Sequence, residues 1–263
     1  MRGVRSRLRR GRAWLAVVAA ALVLVSLLPP AGEDARRFVF AETLQFLVFA
    51  AAAPALLVLG APWRPLRRLV AWPRPGGGPG RGPGGPRRGS GLRHGMVALL
   101  AFIAAAVAWR LPVTVNALAT VPGLAVAEMV TLGGAGVGLW LELAESPPML
   151  PHLSRPQRAA FAALAMWTIW ILGYILGFSH VAWYSAVSHP AVLSPVVDQE
   201  IATALMWAVP AACFAPVVFV AVLTWLKDTE DPDEGLRAIV RAERRPGRPG
   251  WPRPPRGWDS HSA

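Results

Sequence analysis

From Phe38 to Trp63 the chain reads FVFAETLQFLVFAAAAPALLVLGAPW, a run apolar enough to cross a bilayer. Yet Glu42, Thr43 and Gln45 lie in its first turns. A carboxylate carried into a membrane is costly unless it is paired or stays near the interface. This stretch therefore demands either a functional polar helix end or a partner for Glu42, which the rest of the chain must supply.

Five further apolar runs accompany it, and together they predict an all-α, polytopic membrane helix bundle of about six transmembrane helices. The runs are Ala13–Leu28, Val39–Leu59, Met96–Trp109, Leu124–Leu143, Ala159–Phe178 and Ile201–Leu226. The first follows the arginine-rich segment Met1–Arg12 and could instead be a signal peptide. No small-x-small cleavage pattern follows it, which favours a retained helix. Pro54 predicts a kink in the second helix. Gly134 with Gly138, and Gly173 with Gly177, form two GxxxG spacings that permit close helix packing.

The domain reading has three parts. Residues 1–12 form a basic cytoplasmic N-terminus, residues 13–226 the membrane domain, and residues 227–263 a disordered cytoplasmic tail with a short amphipathic turn near Glu234–Arg245. Inside the membrane domain, residues 64–93 are rich in glycine, proline and arginine and cannot build a core. They read as a solvated tether whose arginines could also touch anionic lipid. The stretch RLPVTVNALATVPG separates the third helix from the fourth.

The net charge of +12 would fit a nucleic-acid partner, but the basic residues lie outside the apolar runs. Counted along the chain, the N-terminus and successive loops hold 6, 2, 8, 1, 2 and 0 lysines plus arginines, and the tail holds 8. Alternate segments are thus rich and poor. The positive-inside rule reads this as both termini cytoplasmic, in a plasma membrane, with lipid rather than nucleic acid as the surroundings. Trp14, Trp63, Trp140 and Trp225 then fall at cytoplasmic helix ends, where an aromatic belt is expected. A single cysteine, Cys213, excludes an internal disulfide or a CxxC site.

With that topology the polar residues gather at the outer side. Glu42, Gln45, Arg110, Glu128, Asp198 and Gln199 all lie at or near outer helix ends, and Tyr184 is in an outer loop. They are either wet interfacial residues or a cluster in which Arg110 bridges Glu42 and Glu128, a cation between two acids offsetting their desolvation. A small transporter or channel could use such residues, but would place polar groups along both halves of the membrane. No HExxH, phosphate loop or nucleophile–base spacing points to an enzyme.

The segments AETLQFLVFAAAAPALLVLGAP, WRLPVTVNALA, WYSAV and DQEIATALMW occur here in an order that resembles the CtaG family, copper-related assembly proteins of bacterial cytochrome c oxidase. The resemblance implies a role in oxidase biogenesis, with oxidase subunits as partners and copper as the cofactor. It also implies histidines at positions held here by Glu42, Phe46 and Arg110, and near Glu128. Phenylalanine binds no metal, arginine repels one, and carboxylates are poor ligands for Cu(I). Other metal candidates are His180 and His189 in the outer loop, which also read as loop surface. Met206 and Cys213, seven apart on one helix, also read as packing residues.

Overall fold

The computed structural model describes residues 2–61, 63, 88–121, 123–146, 149–179, 183–184, 186–187 and 193–229. Helix α1 is Arg2–Leu27, followed by the short α2, Ala31–Asp34. Helix α3 spans Val39–Gly60 and contains a π-turn at Val48–Ala52. Then come α4 (Arg88–Arg110), α5 (Pro112–Thr120), α6 (Leu124–Leu143), α7 (Arg155–Gly177) and α8 (Pro195–Thr229). The compact unit Met1–Leu223 holds the bundle; the second unit, Thr224–Ala263, is described only where α8 runs on to Thr229.

The protein is a multi-pass membrane helix bundle. The 5 helices α3, α4, α6, α7 and α8 are long and apolar enough to cross a membrane. The apolar part of α1, Trp14–Leu27, is shorter than these, so the first of the expected spans is the weakest. Several boundaries differ from the sequence reading. Helix α1 begins at Arg2 within the basic N-terminus, and α4 begins at Arg88 within the expected tether. Helix α8 begins at Pro195, before Ile201, and the stretch after Arg110 forms α5 rather than a plain break. Arginine is a good helix former and extends α1 once its apolar part is anchored. Prolines at the starts of α5 and α8 sit where no backbone donor is needed. The remaining tether and the rest of the tail lie outside the described residues.

Successive long helices run antiparallel, which can be followed from end to end. At one end Gln45 Nε2 of α3 donates to Ser26 O in the last turn of α1, at 2.9 Å. At the other, Ser146 Oγ after α6 donates to Val58 O in the last turns of α3, at 2.5 Å. Trp63 Nε1 donates to Ser146 O there at 3.2 Å. Helix α3 is the centre of the bundle: 67% of its span is buried, against at most 44% for any other span.

The predicted kink at Pro54 takes the form of the preceding π-turn. Proline has no N–H to give Ala50 O, so the ladder is already interrupted there. The chain widens one turn earlier, with Ala53 N–H bonded to Val48 O. Gly136 of α6 packs on that widened turn. A Cβ added to Gly136 would lie 2.7 Å from Ala50 O and 2.8 Å from Pro54 Cγ. Gly134 and Gly138 have nothing within 4 Å of such a Cβ, so the first GxxxG spacing is not the contact. The second is: added Cβ atoms at Gly173 and Gly177 would lie 3.0 Å from Met206 Cβ and 2.7 Å from Thr203 Cγ2 on α8.

Trp140 corrects another expectation. It is buried rather than in an interfacial belt, stacked on Phe214 with ring centres 5.2 Å apart. Phe102 meets the same Phe214 edge-on at 6.3 Å, joining α4, α6 and α8.

Candidate functional site

The end of α4 positions Arg110. Leu111 is extended (ψ 140) because Pro112 follows it, so the helix stops and turns into α5 with Arg110 as its last residue. Glu42 and Thr43 lie in the first turn of α3. Arg110 Nη1 and Nη2 both reach Glu42 Oε2 at 2.6 Å. They also reach Thr43 Oγ1 at 3.1 and 3.0 Å. The guanidinium carbon lies 4.7 Å from the centre of the Phe46 ring and 5.7 Å from that of Tyr184. The cation is therefore held by a carboxylate, a hydroxyl and two aromatic faces in a dry setting, where each contact is stronger than in water.

Glu128 of α6 is 1% exposed and faces the same charges, but it makes no hydrogen bond or ion pair to Arg110. Its Oε1 has no hydrogen-bond partner, and neither do Glu42 Oε1 and Arg110 Nε. The two-armed bridge expected from sequence thus has one arm. Tyr184 Oη donates to Arg110 O at 3.4 Å, and burial pushes the phenol above its ordinary range despite the nearby guanidinium.

The other expected site residues do something else. Asp198 of α8 accepts Val39 N–H and Phe40 N–H at 2.8 Å each, capping α3 from another helix. Gln199 Nε2 donates to Leu176 O and Ser179 O at 2.7 and 3.1 Å, capping the end of α7. Gln45 ties down α1 rather than joining the cluster. Thr43 and Phe46 do join it. The polar run in α3 pointed to Thr43, whereas Phe46 carried no polar signal and stood out only as a position where the resemblance implies histidine.

Among the metal candidates, His180 and His189 lie outside the described residues. Met206 is buried against Gly173, and Cys213 packs at the edge of the core. Among the described residues, no group of three or more His, Cys, Asp and Glu side chains could hold a metal ion. The copper implied by the family resemblance does not fit the Glu42 cluster. Its donors are carboxylates, and a guanidinium already sits on one of them, Glu42.

The family model of the cytochrome c oxidase caa3 assembly factors matches residues 1–228. The chain belongs to that family. No curated protein and no solved structure matches it. The match covers the whole bundle, including the α3 start, the Arg110 turn and the Asp198–Gln199 pair. The protein is thus an integral membrane protein of cytochrome oxidase assembly, and a transporter or channel is not the favoured reading.

Proposed function

We propose that this chain supports oxidase assembly by protein contact within the plasma membrane, without catalysing a reaction and without holding copper at the Glu42 cluster. The observation that carries this reading is the Arg110 guanidinium seated 2.6 Å from Glu42 Oε2. A metal cation brought to those carboxylates would have to displace a buried, paired arginine and leave it uncompensated. The cluster then acts as an internal clasp, joining α3, α4 and the Tyr184 loop at one end of the bundle. The arginine-rich segments at the opposite side support an orientation with both termini in the cytoplasm.

Deleting the gene and measuring both oxidase activity and oxidase-bound copper tests this. Loss of assembled oxidase, with normal copper per remaining enzyme, is expected. Normal amounts of active oxidase would overturn the assembly role. Oxidase present in normal amount but lacking copper would restore the delivery reading.

A further inference from the structure

The outward side of α7 and α8 carries a strip of aromatic side chains in two contacting groups. Trp167 packs on Trp170 with ring centres 5.9 Å apart, and Trp170 stacks on Trp207 at 5.2 Å and 15°. Tyr174 and Phe178 continue the strip, with ring centres 4.2 Å apart. The spacing 167, 170, 174 and 178 keeps these side chains on one helix face. Trp167, Tyr174, Phe178 and Trp207 are all exposed.

The strip reaches far into the membrane. At 1.5 Å per residue, Trp167 is about 15 Å from Gly177 and about 18 Å from Arg155, so it sits midway along α7. Gln199 is level with the end of α7 through its bond to Leu176 O, and Trp207 lies about 12 Å further along α8. Trp170 Nε1 is satisfied by Trp207 O at 3.0 Å. The indole N–H groups of Trp167 and Trp207 meet no acceptor among the described residues. Tryptophan favours membrane interfaces because acceptors exist there; hydrocarbon offers none. An indole N–H at mid-depth calls for an acceptor from another protein.

We propose that this strip is the surface by which the chain holds a transmembrane helix of the oxidase it helps to assemble. Hydroxyl or amide oxygens on that helix accept from Trp167 and Trp207, and the stacked rings supply the apolar contact. The identity of the partner rests on the assembly reading above. A second copy fits less well: in an isologous pair, the side chains of the facing strip would offer its four indole donors just the two Tyr174 hydroxyls as acceptors. Exposed tryptophan and tyrosine are also the side chains that most often anchor protein interfaces.

The test uses the full-length protein in cells that make the oxidase. A photoreactive residue is placed at the exposed Ile171, one turn from Trp167, leaving both indoles in place, and separately W167F/W207F, which keeps aromatic rings but removes both donors, replaces the native chain. Cross-linking to an oxidase subunit is expected. The double variant should lower assembled oxidase severalfold at unchanged protein level and thermal unfolding. Cross-links to lipid alone, or to a second copy, would overturn the proposal, as would full oxidase assembly by the double variant. If gene deletion impairs the oxidase yet cross-links reach only lipid, the strip falls and the assembly role stands. If deletion leaves the oxidase normal, the assembly role falls first and takes the named partner with it.

Discussion

Asp198 and Gln199 are neighbours in sequence and cap two different helices in opposite senses. The Asp198 carboxylate takes the first N–H groups of α3, and the Gln199 amide gives hydrogens to the last carbonyls of α7. Each helix end leaves backbone groups unsatisfied, which in a membrane no water can serve. One residue is an acceptor only and the next donates through its side-chain nitrogen, so the start of α8 fixes both neighbours in register.

Replacing Asp198 by Ala should therefore lower stability by about 1–2 kcal/mol, as for the loss of a good N-terminal cap. Asp198→Asn keeps one acceptor oxygen and should lose less. Thermal unfolding in detergent would order the three proteins as native, Asn, Ala. An Ala variant as stable as the native protein would show that α3 does not depend on the cap.

Removing Arg110 should be the most damaging single change at the clasp. Arg110→Ala leaves Glu42 buried and unpaired, which costs about 3–5 kcal/mol for a buried pair broken on one side. Arg110→Lys keeps the charge but loses the two-pronged grip on Glu42 Oε2 and the flat contact with Phe46. The double change Glu42→Gln with Arg110→Met removes both charges and should recover much of the loss. Unfolding temperatures of the single and double variants would show this directly, and equal losses in all three would rule out the pairing.

Much of this arrangement is legible in the sequence, because charges are rare in apolar runs. Glu42, Arg110 and Glu128 stand out for that reason, and the three positions at which the resemblance implies histidine, Glu42, Phe46 and Arg110, do meet in space. What could not be read is which acid wins. Glu42 and Glu128 lie at similar helix ends, and only the geometry of the Leu111–Pro112 turn aims Arg110 at the first. The caps made by Asp198 were equally hidden, since its partners are 158 and 159 residues away. The glycine spacing misled for a local reason. A GxxxG pattern assumes a regular partner helix, and the π-turn before Pro54 moves the close approach to Gly136.

That difference gives a sharp comparison within one helix. Gly136→Ala places a methyl group 2.7 Å from Ala50 O, a backbone atom that cannot swing aside. A loss of about 1–3 kcal/mol is expected, in the range for overpacking. Gly134→Ala meets nothing and should be neutral or stabilise by up to about 1 kcal/mol through helix propensity. Measuring both variants by thermal unfolding separates packing from propensity. A larger loss at position 134 than at 136 would mean that α6 meets its neighbour on another face.

The last expectation concerns metal. With the Arg110 guanidinium seated on Glu42, added Cu(I) finds no soft ligand at the clasp and must displace a buried cation to reach that carboxylate. Titration of purified protein should then show no tight one-to-one complex there. His180 and His189 could still contribute weak binding, so the decisive sample is the variant lacking both. Tight stoichiometric copper in that variant would mean the clasp opens to admit metal, and Glu42→Gln should abolish it. Weak uptake that disappears with the two histidines would assign any copper to His180 and His189 rather than to the charge pair.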